Sequence, residues 1–438
     1  MASTLLSPGV VIQERDLTLG SIETVEVNVG AIAGAFTKGP VNKPVRISSE
    51  SELLSKFGEP NDSNYETWFA ASSFLAYGGV LDVVRASGAS LKTANKGGVS
   101  LTINSVEDYE GNYYDGTAAW DYASRNIGAV GNSIKVVVID SGANQQVTLA
   151  GAIQSAGVQA GSLIQNSAGT KSAYIHKITG STVVDVIWVS GGAWTTSDLV
   201  DDGSNPDVAI TAVADWYDSQ MITPTLNWNQ VAPQPGTSVH VAERGGSNDE
   251  MHIVVVDVDG GVTGTPNTVL EKFLYVSKAS DGKSAEGSLV YYPEVILNSS
   301  NYIYWGSHDN EDIWDVSGNA LANSSNVGGN STTAFDILGE KEYALTGGAD
   351  DFSLTQAEII AGYDYFADPE TVQIDYLIMG GGGATETETK AKANKLISIV
   401  NSRKDCVAFI SPDKGNVIGV SDSLSLIHIS EPTRPIHI

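Results

Sequence analysis

The chain has 438 residues, 42% of them hydrophobic and 17% charged, with 46 glycines, which suits two or three folded domains. Its net charge of −28 repels phosphate backbones and anionic bilayers, so neither a nucleic-acid partner nor membrane insertion is expected. The single cysteine, Cys406, excludes a disulfide framework and a cysteine-based zinc site, and apolar runs such as 253–256 are too short to span a bilayer.

Residues 1–4 carry no Lys or Arg, so no secretory signal is read and a soluble protein from a reducing compartment is expected. The first sixteen residues, MASTLLSPGVVIQERD, combine an apolar pair (Leu5, Leu6), a Pro8-Gly9 bend and a β-branched run (Val10, Val11, Ile12). A strand placed where chains usually fray is expected to pair with an edge of its own sheet or with another molecule's sheet. Residues 25–47 alternate as a strand, a turn at Gly39-Pro40 and a second strand.

In SSESELLSKFGEP, Ser49 and Glu52 are spaced as a capping box, with Gly58 and Pro60 as stop signals. A second helix is predicted from Ser63 to Gly78-Gly79, with Trp68, Phe69, Leu75 and Ala76 on one face. Residues 80–86 then read as a buried strand.

From residue 87 to 330 Gly, Ser, Asn and Thr are frequent, and strands are predicted at 133–140, 181–189 and 251–259. Helices are expected to start at Pro206 and Pro266, and 324–334 reads as a linker. Beyond it come a helix ending before Pro369, a strand (VQIDYLIM), a helix over 384–403 and a buried strand at 406–412.

That α-β-α-β order argues for a parallel sheet. The expected fold class is α/β plus β, a discontinuous α/β core domain built from both ends of the chain with an inserted, β-rich outer lobe. The expected division is an N-terminal arm (1–21), the first part of the core (22–86), the lobe (87–330, two subdomains) and the second part of the core (331–423). The last stretch differs from the rest. Residues 424–434, LSLIHISEPTR, resemble the translation of a sequencing-library adapter, so 424–438 are set apart as an expected artefact and the natural chain is expected to continue beyond about residue 423.

Several stretches imitate catalytic signatures. MGGGGATETET follows a strand and opens a helix, yet Gly380, Gly382 and Thr385 do not complete a dinucleotide fingerprint, and a tight turn explains them better. GAIAGAFTKGP lacks phosphate-loop spacing. DVDGG (257–261) lacks the later acid of a calcium loop and reads as a hairpin turn at Asp259-Gly260. His176, His240, His252 and His308 are not at metal-ligand spacing, although His240 and His252 could meet across a hairpin. No G-x-S-x-G elbow is present. No catalytic residue, cofactor or metal is predicted.

The N-terminal block resembles contractile tail sheath proteins of T4-like bacteriophages. The resemblance rests on a ladder of motifs: residues 7–10 (Ser-Pro-Gly-Val), Gly39-Pro40, residues 57–60 (Phe-Gly-Glu-Pro), Tyr77-Gly78 and residues 83–86 (Val-Val-Arg-Ala). Residues 125–138 (RNIGAVGNSIKVVV), 344–351 (ALTGGADD) and 403–412 are similar to sheath segments too. The family implies a non-enzymatic virion subunit, assembled in the host cytoplasm into six-fold rings around a tail tube and contracting on a baseplate signal. Its partners would be further copies of itself, the tube protein, the baseplate and the tail terminator. It also implies that Leu5, Leu6, Pro8, Gly9, Val10, Val11 and Ile12 form a subunit-linking arm that adds a strand to a neighbour's sheet. A tailocin or secretion sheath is the nearest alternative, and a serine hydrolase or surface-layer protein a more distant one.

Overall fold

A computed structural model describes residues 28–153, 158–201, 207–309, 313–314, 320–321 and 327–417. Five strands form one sheet in the order Val45–Ile47, Val80–Arg85, Val29–Gly34, Tyr376–Ile378, Val407–Phe409. Every neighbouring pair is parallel except the first. Ala31 lies opposite Leu377, so segments remote in sequence share this sheet.

Its central strands are apolar on both faces because helices cover both. Ile32, Leu81 and Val83 pack under the helices Glu50–Phe57 and Tyr65–Ala76, whereas Ala31, Ala33 and Leu377 pack under Gln356–Asp364 and Glu386–Arg403.

Local chemistry sets the helix starts. The Ser49 hydroxyl accepts the Glu52 N–H (3.2 Å), but the Glu52 carboxylate reaches back to the N–H of Ser48 (2.9 Å), one residue before the expected partner. Thr355 with Glu358 and Thr385 with Glu388 form complete capping boxes. The second helix buries Trp68, Ala71 and Leu75, and Phe69 is 53% exposed instead of sharing that face. Phe69 is one residue from Trp68, which turns it about 100° around the helix.

Between these halves the chain builds a lobe. Its main sheet has the order Thr268–Ser277, Glu250–Asp257, Ile134–Ile139, Glu340–Ala344, antiparallel throughout. A closed six-stranded barrel stands beside it, formed by Leu199–Asp201, Val208–Asp215, Gln145–Leu149, Val183–Ser190, Ser172–Thr179 and Leu163–Asn166. Trp194, Ile175 and Val186 are among the side chains that fill its interior.

Strand pairing corrects both proline-led helix expectations. Pro206 lies outside the described residues, and the element after it is the strand Val208–Asp215, not a helix. Pro266 likewise precedes the strand Thr268–Ser277, which folds back on Glu250–Asp257. Proline also tolerates the start of a strand, and TVLEKFLYV is rich in β-branched and aromatic residues, which decides the outcome. The Asp257 carboxylate organises the connection by accepting Val262 N–H (3.1 Å) and Thr263 N–H (2.7 Å). The boundary expected at residue 330 falls too early as well. Glu340–Ala344 pairs with Ile134–Ile139, so the chain returns to the parallel sheet only after Asp351.

Candidate assembly interface

Leu5, Leu6, Pro8, Gly9, Val10, Val11 and Ile12 lie outside the described residues, as does the adapter-like stretch 424–438. The described surface does contain an open sheet border. Val407–Phe409 forms one border of the parallel sheet, and no described strand pairs with its outer side. Val407 N–H donates to Asp375 O (2.9 Å) and Phe409 O accepts from Met379 N–H (3.0 Å), so both residues direct their backbone inward. The alternation of a parallel ladder leaves the N–H and C=O of Ala408 facing out.

Val407 is 57% exposed and Phe409 55%, a correction to the buried strand expected at 406–412, where Cys406 alone is buried. The Phe409 ring lies 5.6 Å from that of Tyr376, which lies 6.1 Å from Phe74. Aromatic surface thus runs from the helix to the open border. The opposite border, Val45–Ile47, is guarded by Arg46, whose guanidinium makes two bonds to Asp82 (3.0 and 2.8 Å).

The other candidates have structural occupations. Glycines 381 to 383 pack so closely on the neighbouring helices that a Cβ would strike Glu66, Thr389 and Glu388 respectively. Lys392 fills the space beneath, donating to Gly381 O (2.8 Å), and burial lowers its pKa to about 8 against the pull of Glu66. Burial also raises the Cys406 thiol above its usual range, which opposes thiolate formation.

His252 and His240 are not brought together by any hydrogen bond. The His252 Nε2 bonds Pro233 O (2.9 Å) and its Nδ1 accepts Tyr275 N–H (3.0 Å), while His240 sits on the short helix Val239–Ala242. Burial holds His176 neutral, with a pKa near 3, and His308 neutral, with a pKa near 4.

A further arrangement joins sheet to lobe. Arg85, 2% exposed, ends the strand Val80–Arg85 and donates through Nη1 to Ile127 O (2.8 Å) and Gly39 O (3.3 Å). Its Nη2 stands 3.7 Å from Asp350 Oδ1, which also accepts Ala129 N–H (3.1 Å). Burial lowers the Arg85 pKa to about 10, and the Asp350 charge opposes that fall. Gly39-Pro40 and the motif-bearing stretches 83–86, 125–138 and 344–351 therefore converge on one guanidinium. Their separate spacing along the chain was the only signal of this in the sequence.

The comparisons with known proteins agree with one another. The chain is 26% identical over 451 residues to a tail sheath protein of Salmonella phage ViI, covering 94% of this chain and 61% of that one. It is 25% identical over 478 residues to the tail sheath protein of Vibrio phage KVP40 (97% and 65%) and 24% identical over 461 residues to that of Enterobacteria phage T4 (95% and 63%). The chain thus spans less than two thirds of the length of these relatives. No protein-family model matches it. Solved sheath tail proteins from Listeria innocua (TM-score 0.33, 10% identity, 87% of this chain and 45% of that one) and Desulfitobacterium hafniense (TM-score 0.31, 11%, 92% and 56%) superpose too loosely to carry an argument. By sequence, then, this chain is similar along nearly its whole length to the tail sheath proteins of these three phages.

Proposed function

We propose that the chain is a structural subunit of a contractile bacteriophage tail sheath, polymerising as six-fold rings around the tail tube. Contraction of those rings drives the tube through the host envelope and delivers the genome. The carrying observation is the sequence similarity to three sheath proteins along 94–97% of this chain. In this reading the parallel sheet with its helices is the core domain and the lobe is its outward-facing insertion. Work comes from the difference between two subunit packings and not from catalysis.

The open border at Val407–Phe409 supports a linking role, because it offers an unpaired ladder and half-exposed apolar side chains to an added strand. The arm containing Leu5, Leu6, Val10 and Ile12 of another copy supplies that strand. The tube protein, baseplate and tail terminator are the further partners, met in the virion tail after assembly in the host cytoplasm.

Electron microscopy of the protein mixed with tail tubes of the same phage tests this reading. Striated six-fold sheaths are expected, and their loss when residues 1–14 are deleted. A protein that stays monomeric and does not sediment with tubes overturns it.

A further inference from the structure

Sheet and lobe meet through little apolar surface. Among the described residues one small cluster, Val41, Leu91 and Ile127, is buried at the meeting point. An interface of that size leaves two bodies free to move against each other unless polar bonds fix them.

Beside the backbone bond from Val41 N–H to Asn104 O (3.2 Å) and the exposed Lys43–Glu107 ion pair (2.9 Å), the buried side-chain bonds there converge on Arg85. It belongs to the sheet by its backbone, pairing with Gly34. Its side chain reaches the Gly39 turn of the same body, the carbonyl of Ile127 where the lobe begins its main sheet, and Asp350 where the lobe ends. Asp350 in turn receives the N–H of Ala129, which closes the set. Gly128 makes the approach possible: it adopts φ +126°, and a Cβ there would strike the Asp350 carboxylate and crowd the Arg85 guanidinium. A planar guanidinium can hold several acceptors at fixed angles, which an ammonium cannot.

We infer that Arg85 is the positioning residue that fixes the lobe's orientation on the sheet, with Asp350 and Gly128 as its counterparts. The inference does not depend on the sheath reading, since it concerns a single subunit. Each body keeps its own core without this set, so removing it frees the lobe without unfolding either part.

The test uses the full chain on a Cys406→Ala background, with spin labels at the exposed positions Tyr77→Cys on the sheet body and Ser181→Cys on the lobe. One narrow distance distribution is expected for the otherwise unchanged protein, and broad ones for Arg85→Met and for Asp350→Asn, which removes one charge and keeps the shape. Arg85→Lys restores little of the narrow distribution. Hydrogen exchange at 125–131 and 346–351 should rise about ten- to a hundredfold, the loss expected for charged hydrogen bonds, while 81–84 and 253–256 keep their protection. Unchanged distributions in both Arg85→Met and Asp350→Asn overturn the inference. So does loss of protection throughout both bodies in Asp350→Asn, which would make the set a general fold determinant.

Discussion

The lobe's barrel and the parallel sheet treat their strand borders in opposite ways. The lobe closes its barrel on itself and borders its main sheet with Glu340–Ala344 and with the ten-residue strand Thr268–Ser277, whose Glu271 is engaged by Ser300 Oγ (2.7 Å) and Asn301 N–H (2.7 Å). It is also pinned by a fully buried ion pair, Lys278 Nζ to Asp140 (2.7 Å), whose carboxylate accepts two further N–H groups from Leu338 and Gly339. The sheet body instead ends on a three-residue strand with Val407 and Phe409 half in solvent. A closed ladder has nothing to offer a partner and an open one does. Among the described residues the barrel is therefore complete in itself, whereas the parallel sheet keeps one open, apolar border.

The largest effect expected from that contrast is at the buried pair. Lys278→Met leaves the Asp140 carboxyl buried without its cation, which should cost the lobe roughly 3–5 kcal/mol in urea unfolding, while the sheet body keeps its hydrogen-exchange protection. Simultaneous loss of the sheet would erase the distinction between the two bodies.

Next comes acid. His308 is held neutral by burial, with a pKa near 4 against an ordinary 6.5, so its contribution is complete above pH 6.5 and disappears as pH falls toward 4. At about 1.4 kcal/mol per pH unit, the stability gap between the unaltered protein and His308→Asn should change by about 3 kcal/mol across that window, in favour of the variant as acid is added. Among the described residues every histidine lies in the lobe, so titration followed by sheet amides should not register this loss.

Smaller is the removal of a cap. Thr385→Ala should lower the stability of the sheet body by about 1 kcal/mol, and exchange should quicken first in the helix Glu386–Arg403. Smallest in stability, yet decisive for linking, is Val407→Lys. Unfolding should shift by no more than about 0.5 kcal/mol, while sheath formation seen by electron microscopy is lost. Intact polymers from that variant would move the link away from this border.

Local chemistry was legible and long-range closure was not. The spacing at Ser49 marks a helix start because its cap is satisfied within three or four residues. Pro206 and Pro266 misled because proline at a helix start and at a strand start look alike in sequence, and the partner strand decides. The barrel left little trace, since its pairings, such as Val200 with Asn166 and with Val208, join short strands across loops. Val407 and Phe409 read as core from their apolarity, although among the described residues they stand on a border strand and are half-exposed. Arg85 shows the same limit: a single arginine in an apolar strand says nothing of Ile127 or Asp350 until the chain has returned from a long excursion.

That excursion leaves and returns by two segments that are already paired, Lys92 with Ala349 and Asn95 with Thr346. Its two ends therefore stand about 5 Å apart, the spacing of neighbouring strands. A foreign domain whose termini lie as close could be spliced into that position without stretching the sheet. Evolution has the same freedom, because such an insertion can be traded as a cassette while the sheet that carries it is left untouched.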